Sequence, residues 1–297
     1  MTTDIFSKRQ MQNRHDTFSA MYMNIAHNIL EYCGMRIGEG ICREAVRRTG
    51  HDFGKYFKAI LGKENLKINL KNFFYCAFYS DHDPRFHIKH IANEEERQII
   101  EVYTCPLATY WNSHQMSKEG SFFCEEFQYA CILALTDGKG QLCLTNSLTC
   151  PRDNYCKFSS FFRETNLDRA EVDQSFTNDS NQLVTDSRDF EVDFKQCLSA
   201  LSIGLYHHLL EVAIEVSGQE GKYAVIKGLE EWAHTCVYLL QDKATKCLVD
   251  FDMSFIQDNL VISTNSSEDD LWEYYECNES RELMQTIALD YIIKHTN

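Results

Sequence analysis

The sequence predicts an α+β protein in which one module, two helices followed by an antiparallel meander, occurs twice in a pseudo-two-fold arrangement. Two observations predict this. The two ends of the chain resemble each other, and in each end apolar residues at helical spacing precede runs of aromatic and β-branched residues. The predicted units are a complete module at 1–163, an acidic linker or loop at 164–193, and a truncated second copy at 194–297.

The internal resemblance consists of three matches in the same order along the chain. Thr17–Glu31 aligns without gaps to Cys197–Glu211, and the shared residues include a histidine and a glutamate. Two short glycine-containing segments match next, and Glu101–Cys105 (EVYTC) then matches Glu273–Cys277 (EYYEC). Because chance hardly supplies three ordered matches, the sequence predicts an internal duplication.

The elements of the first copy follow from periodicity. Phe18, Ile25 and Ile29 lie on one face of a helix, and glycines then separate it from a second helix. The predicted elements are helices within 17–31 and 41–61, strands near 66–79, 85–91 and 98–103, helices from 106 and over 122–135, and strands near 141–148 and 156–162. A turn at Asp81-His82-Asp83-Pro84 joins the first two strands.

The second copy predicts a shorter series of the same elements. These are helices from 197 and over 222–241, strands near 246–256, 259–264 and 271–277, and a last helix over 280–294. Residues 164–193, between the copies, are strongly acidic and show little periodicity, which is typical of an exposed linker or long loop.

Composition limits the classes of partner. The formal net charge is −15, from 44 acidic and 29 basic residues, and this charge repels nucleic-acid phosphates, so no nucleic-acid partner is expected. The polar start and the lack of a run of about 18 apolar residues predict neither a signal peptide nor a membrane partner, and we expect a cytoplasmic protein. An odd number of cysteines, 13, favours free thiols over a disulfide framework.

A set of separated residues in the first copy resembles the signature of the L-2-amino-thiazoline-4-carboxylic acid hydrolase family. The residues are Cys105-Pro106, Trp111, Phe123-Cys124, Thr149, Asp153 and Cys156-Lys157-Phe158. The resemblance spans roughly 17–162. It implies a small intracellular protein that opens a cyclic amidine, the 2-aminothiazoline ring, by adding water. A second, partial copy is not part of the usual family pattern.

Cys105 is the predicted nucleophile. It stands between a predicted strand and Pro106, a residue favoured at the first position of a helix, so backbone N–H groups would lower the pKa of its thiol. The alternative is a buried cysteine with a purely structural role. Cys124 and Cys156 are weaker candidates for the substrate site: Cys124 could face the same cavity, and Cys156 begins a predicted strand after a polar turn. The three thiols together could hold a metal ion if the fold joined them.

Two aromatic residues and one arginine complete the predicted substrate site. Tyr103 and Trp111 line either a pocket wall or the core, which the sequence does not separate. Arg85 could clamp the carboxylate that the family's amino-acid-like substrate carries, although a polar hairpin tip is the simpler interpretation.

A histidine and a glutamate stand four residues apart in each copy, His27 with Glu31 and His207 with Glu211, on the polar side of a predicted helix. Such a pair could act as acid and base, and His27 and Glu31 are the predicted proton carriers. If the two copies meet about a two-fold axis, all four residues could bind a divalent metal. The alternative is an ordinary solvated helix face.

Together these patterns predict a hydrolase or lyase in specialised metabolism that acts on a small cyclic C–N or C–S compound without a cofactor. One alternative is a metal-dependent enzyme that uses the His/Glu pairs. Another is a non-catalytic small-molecule or redox-sensing module. The expected partner is a small-molecule substrate, and the sequence leaves a homodimer open.

Overall fold

The computed structural model describes residues 2–77, 83–176, 194–266, 272, 275 and 278–296. These residues form helices and one four-stranded antiparallel sheet, which confirms the predicted α+β class. They do not show the predicted pseudo-two-fold arrangement of two copies.

The helices occupy most of the described chain. They are α1 (Thr2–Cys33), α2 (Met35–Lys63), α3 (Leu70–Ala77), α4 (Pro106–Ser113), α5 (Ser117–Leu135), α6 (Arg169–Ser175), α7 (Phe194–Cys247), α8 (Met253–Asn259), α9 (Asn278–Leu283) and α10 (Asp290–Lys294). A π-helical segment, Met284–Leu289, joins α9 to α10, so the predicted last helix is present. The strands are β1 (His87–Asn93), β2 (Arg97–Thr104), β3 (Gln141–Asn146) and β4 (Cys156–Phe161).

Each end of the chain folds as a helical hairpin that turns at a glycine. Gly34 separates α1 from α2 with φ 80°, and Gly218 interrupts α7 with φ 57°. Residues with a Cβ rarely adopt positive φ, so glycine permits both sharp turns. Gly218 divides α7 into a first arm, 194–217, and a second arm, 219–247. The two predicted helical hairpins are therefore confirmed.

The two hairpins pack against each other and share one hydrophobic core. Helix α1 lies along the second arm of α7, where Trp232 Nε1 donates a hydrogen bond to Thr17 O over 2.9 Å. Helix α2 meets the first arm, where Arg48 pairs with Glu211. The first hairpin thus contacts both arms of the second one.

The sheet differs from the predicted meander at its first strand. Its order is β1-β2-β4-β3, with neighbours antiparallel throughout. The described part of the aromatic run, 66–77, is not a strand, because Asn69 caps a helix there: its Oδ1 accepts a hydrogen bond from Asn72 N, and α3 follows. The later strands at 141–146 and 156–161 complete the sheet instead. Asp81 and His82 of the predicted turn lie outside the described residues.

The prediction of an antiparallel meander in the second copy is wrong within the described part of the chain. Helix α7 continues to Cys247, and Leu248 then ends it with φ 56°. Asp252 caps α8 by accepting a hydrogen bond from Phe255 N, so local capping produces a helix where strands were expected. No strand occurs between 246 and 266. Most of the third predicted strand, 271–277, lies outside the described residues.

The predicted linker is partly folded. Asp168 and Glu171 form a capping box that starts α6, and the following Phe176 is buried against Phe162. The end of this segment, Ser175 and Phe176, is therefore packed on the first module, whereas 164–166 and 168–170 are exposed. Residues 177–193 lie outside the described part.

One helix, residues 197–247, is long and apolar enough to cross a membrane by length and composition alone. Its most apolar window is 78% buried inside the structure, which is also typical of a core helix. The described cysteines are free, as predicted.

Candidate functional site

An apolar pocket with a cavity volume of about 60 Å³ lies between the sheet and helices α4 and α5. We call it the thiol pocket because three cysteines line it. Its lining residues are Phe86, Ile88, Val102, Cys105, Leu107, Ala108, Trp111, Phe123, Cys124, Phe127, Gln128, Cys156 and Phe158. The pocket therefore contains all three cysteines of the family-like signature.

The sequence places these side chains through two simple periodicities. Val102 on β2 and Cys156 on β4 are register partners, so both face the same side of the sheet. Cys124 and Gln128 lie four residues apart on α5 and therefore share one helix face. The pocket forms where this face of α5 covers the apolar face of the sheet.

Cys105 occupies the predicted position at the start of α4. It is the N-cap residue, with Pro106 next, and its side chain makes no capping hydrogen bond to the first turn of the helix. The predicted decrease in pKa is wrong. Burial among apolar side chains outweighs the lowering effect of the backbone N–H groups of Leu107 and Ala108 and raises the pKa of the Cys105 thiol to about 12. Cys105 is therefore protonated near neutral pH.

The other two pocket cysteines are in a similar state. Burial raises the pKa of Cys124 and of Cys156 above the ordinary value for a thiol. The Sγ of Cys156 accepts a hydrogen bond from Leu148 N over 3.1 Å. Both line the same pocket as Cys105, but in the described structure these thiols do not form a group close enough to hold a metal ion.

The two predicted aromatic residues have separate locations. Trp111 is fully buried and lines the pocket, and its Nε1 donates a hydrogen bond to Ser19 O over 3.0 Å. Tyr103 does not line the pocket, so its predicted role is wrong. It is 39% exposed, its hydroxyl donates to Glu101, and its ring stacks on Tyr155. Tyr103 points outward because alternate residues of a strand face opposite sides of a sheet.

Gln128 is a pocket residue that the sequence reasoning missed. Its Oε1 is buried and has no hydrogen-bond partner among the described residues. The signal was available, because Gln128 follows Cys124 by one helical turn in a predicted helix. A buried carbonyl without a donor costs free energy, and a ligand N–H or O–H could supply the missing hydrogen bond.

His27 and Glu31 lie outside the thiol pocket. The predicted neighbour relation is present, with 4.0 Å between His27 Nε2 and Glu31 Oε2, but the two side chains are 42% and 63% exposed. His27 Nδ1 instead faces Glu119 Oε1 at 3.4 Å. Among the described residues, the predicted catalytic group of Cys105, His27 and Glu31 is therefore not assembled in one cavity.

Arg85 is wrong as a free anchor for a substrate carboxylate, because its guanidinium binds the chain itself. It contacts both carboxylate oxygens of Asp83, Asp16 Oδ1 at 2.6 Å and Gln12 O at 3.0 Å. Burial tends to raise the pKa of Asp83, but hydrogen bonds from His15 and Arg85 outweigh it and hold that pKa well below its usual range. Arg85 thus neutralises buried carboxylates.

A second cluster involves two other predicted residues, His207 and Glu211. One ligand atom each of His207, His208 and Glu211 lies within 4.8 Å of the others. His27 and Glu31 are not in this group, so the predicted four-residue metal site is wrong. Burial lowers the pKa of His207. Burial raises the pKa of Glu211, but hydrogen bonds from His208 and Arg48 lower it overall.

No family model, no curated protein and no solved structure matches this chain. The resemblance to the thiazoline hydrolase family, which rests on the pocket cysteines and Trp111, stays a prediction.

Proposed function

We propose that this chain binds a small, uncharged and largely apolar molecule in the thiol pocket. The observation that supports this most strongly is the lining itself. Apart from Gln128, the described lining residues are apolar or carry a thiol. Ligand pockets typically combine apolar walls with a few polar groups that fix orientation. Cys105, Cys124 and Cys156 belong to the neutral wall, because burial raises the pKa of each.

The polar groups of the pocket restrict the ligand further. Gln128 offers a buried carbonyl oxygen that has no partner in the described part of the chain, which favours a ligand with one N–H or O–H donor. A carboxylate is disfavoured, because the described lining contains no cation and Arg85 is paired with Asp83 and Asp16. A compact ring with a single donor is the class that fits these features best.

Ring opening at Cys105 is the second candidate function. The position of Cys105 at the start of α4 supports this candidate, because the backbone N–H groups of Leu107 and Ala108 act to lower the pKa of its thiol. The sulfur would add to the amidine carbon, a ring C–N or C–S bond would break, and water would release the product. The raised pKa of Cys105 opposes this step, since the nucleophile is the thiolate. It equally opposes the redox-sensing alternative.

Binding is tested by ligand-observed NMR with benzamide, which carries a ring and one amide donor group, on the full chain. We expect saturation transfer to benzamide. Ala108→Phe should abolish the transfer by filling the pocket, and Gln128→Leu should weaken binding by up to about tenfold through loss of one hydrogen bond. Tyr103→Phe, on the outer side of the sheet, is the matched control and should bind like the unmodified chain.

Benzamide binding that persists unchanged in a folded Ala108→Phe variant would exclude the thiol pocket as the binding site. Circular dichroism checks the fold of each variant. Ring opening is tested separately with 2-amino-thiazoline-4-carboxylate. Turnover that disappears in Cys105→Ser would favour the second candidate, and absence of turnover in the unmodified chain would contradict it.

A further inference from the structure

The first arm of α7 carries two adjacent buried histidines and a glutamate one turn further on. His207 and His208 are 7% and 8% exposed, and Glu211 is partly buried. These residues face Asp52 of α2, whose Oδ2 lies 2.8 Å from His208 Nε2. None of the four lines the thiol pocket, so this cluster is a separate feature of the molecule.

We propose that His207, His208 and Glu211 bind a divalent transition-metal ion of the zinc class. Two imidazoles and one carboxylate form a ligand set that such ions use when a further position stays open for water or another ligand. The ligand atoms, within 4.8 Å of one another, need only small side-chain rotations to reach the shorter separations of a bound ion.

The hydrogen bonds of His208 orient it as a ligand. The short contact between Nε2 and Asp52 Oδ2 places a proton on Nε2, because a carboxylate only accepts. Metal-binding histidines commonly donate their second N–H to a carboxylate in this way. In the neutral ring Nδ1 then carries a lone pair, yet it faces Glu211 Oε2 at 3.3 Å. Two acceptors at that distance repel unless a cation or a proton lies between them.

His207 has a similar arrangement at its other nitrogen. Its Nδ1 lies 3.3 Å from the hydroxyl oxygen of Ser280. If Nδ1–H donates to that oxygen, Nε2 carries the lone pair and is the ligand atom. The ring of Tyr275 packs on His207 with 4.8 Å between centroids, which restricts its rotation. Both imidazoles are therefore held by contacts outside the proposed ligand set.

The charges around the cluster favour a cation. Arg48 contacts Glu211 through one bond of 3.0 Å, but it makes two bonds to Glu215 and one to Glu44. Arg48 would stay paired if Glu211 turned toward a metal ion. Four carboxylates surround this one arginine and His208: Glu44, Glu211, Glu215 and Asp52.

Cobalt(II) titration of the full chain tests the site, because visible absorption distinguishes nitrogen and oxygen ligands from sulfur. Thirteen cysteines make this distinction necessary. We expect one equivalent to bind with visible d–d bands and without sulfur-to-cobalt charge-transfer absorption. Glu211→Gln should weaken binding by about tenfold or more, and Asp52→Asn, through the oriented imidazole, by roughly tenfold to a hundredfold.

His27→Gln is the matched control, because His27 also has a glutamate one turn further along a helix. It should leave cobalt affinity unchanged. The proposal is overturned if no cobalt binds, if the bound cobalt shows sulfur ligation, or if Glu211→Gln has no effect while remaining folded. Thermal unfolding with and without cobalt gives a second readout: the metal should raise the Tm of the unmodified chain and not that of Glu211→Gln.

Discussion

In each helical hairpin, a tyrosine of the first helix contacts a tryptophan that lies later in the chain. In the first, the ring of Tyr22 meets Trp111 edge to face at 5.5 Å, and its hydroxyl donates to Glu119 O over 2.8 Å. In the second, Tyr206 meets Trp272 at 6.1 Å and donates to Ser280 O over 3.0 Å. The carbonyl residue follows the tryptophan by eight positions in both, since 119 − 111 and 280 − 272 are equal.

The surroundings of this contact set differ between the halves. In the first half the sheet covers Trp111 and encloses the thiol pocket. In the second half no strand occurs in the described residues, and the histidines next to Tyr206 form a polar cluster with Glu211. The same tyrosine–tryptophan contact therefore occurs beside an apolar pocket in one half and beside a polar cluster in the other. The difference lies in whether a sheet packs over it.

The contact set also gives a different pairing of the two hairpins from the one that the sequence alignment predicts. Tyr22 precedes Gly34 by 12 residues, and Tyr206 precedes Gly218 by 12. When the two hairpins are matched through these tyrosines, equivalent residues are 184 positions apart (206 − 22). The sequence alignment that pairs His27 with His207 places them 180 positions apart. The difference is about one helical turn. His27 therefore corresponds to Glu211 rather than to His207.

The largest expected contrast concerns two arginines. Arg85 in the first half neutralises Asp83, whose side chain is fully buried, so Arg85→Ala should destabilise the fold by about 3 to 5 kcal/mol. Arg48 pairs with the more exposed carboxylates of Glu211 and Glu215 in the second half, so Arg48→Ala should cost about 1 kcal/mol or less. Urea unfolding measures both free energies. Equal costs would remove the distinction between a buried and a surface ion cluster.

The two tryptophans give a smaller contrast. Trp111→Phe removes the donor of a buried hydrogen bond to Ser19 O and should cost about 2 to 3 kcal/mol. Trp272 is equally buried, but its Nε1 has no partner among the described residues, so Trp272→Phe should cost roughly 1 kcal/mol less. Thermal unfolding of both variants tests this. A larger loss for Trp272→Phe would show that the two contact sets are anchored differently.

The smallest effect is a change in pH dependence. Folding lowers the pKa of Asp83, so its contribution to stability is fully present above the pKa of the unfolded chain, about 3.9, and is lost as pH falls below that value. Relative to Asp83→Asn, the unmodified chain should lose up to about 1.4 kcal/mol more per pH unit in acid. Identical acid slopes in urea unfolding between pH 5 and 3 would contradict the buried pairing.

The sequence predicts the parts of this fold that periodicity and capping determine. The hairpin helices and α4 after Pro106 follow from periodicity and capping, whereas the three pocket cysteines are singled out by the family resemblance. It fails where a polar cap competes with an aromatic run, as at Asn69, and where a helix continues through residues that also suit a strand, as at 246–247. The raised pKa of Cys105 could not be predicted from the sequence. Residues distant in the chain bury the thiol, and this burial raises its pKa by more than the helix start lowers it.

The central claim is that the cysteines of the thiol pocket are protonated wall groups rather than nucleophiles. Its most direct test is the rate at which iodoacetamide alkylates Cys105, followed by peptide mass spectrometry from pH 7 to 10, with exposed Cys143 as an internal reference. With a pKa of about 12, the rate at Cys105 should rise about tenfold per pH unit without a plateau. A plateau below pH 8 would reveal a thiolate and contradict the account.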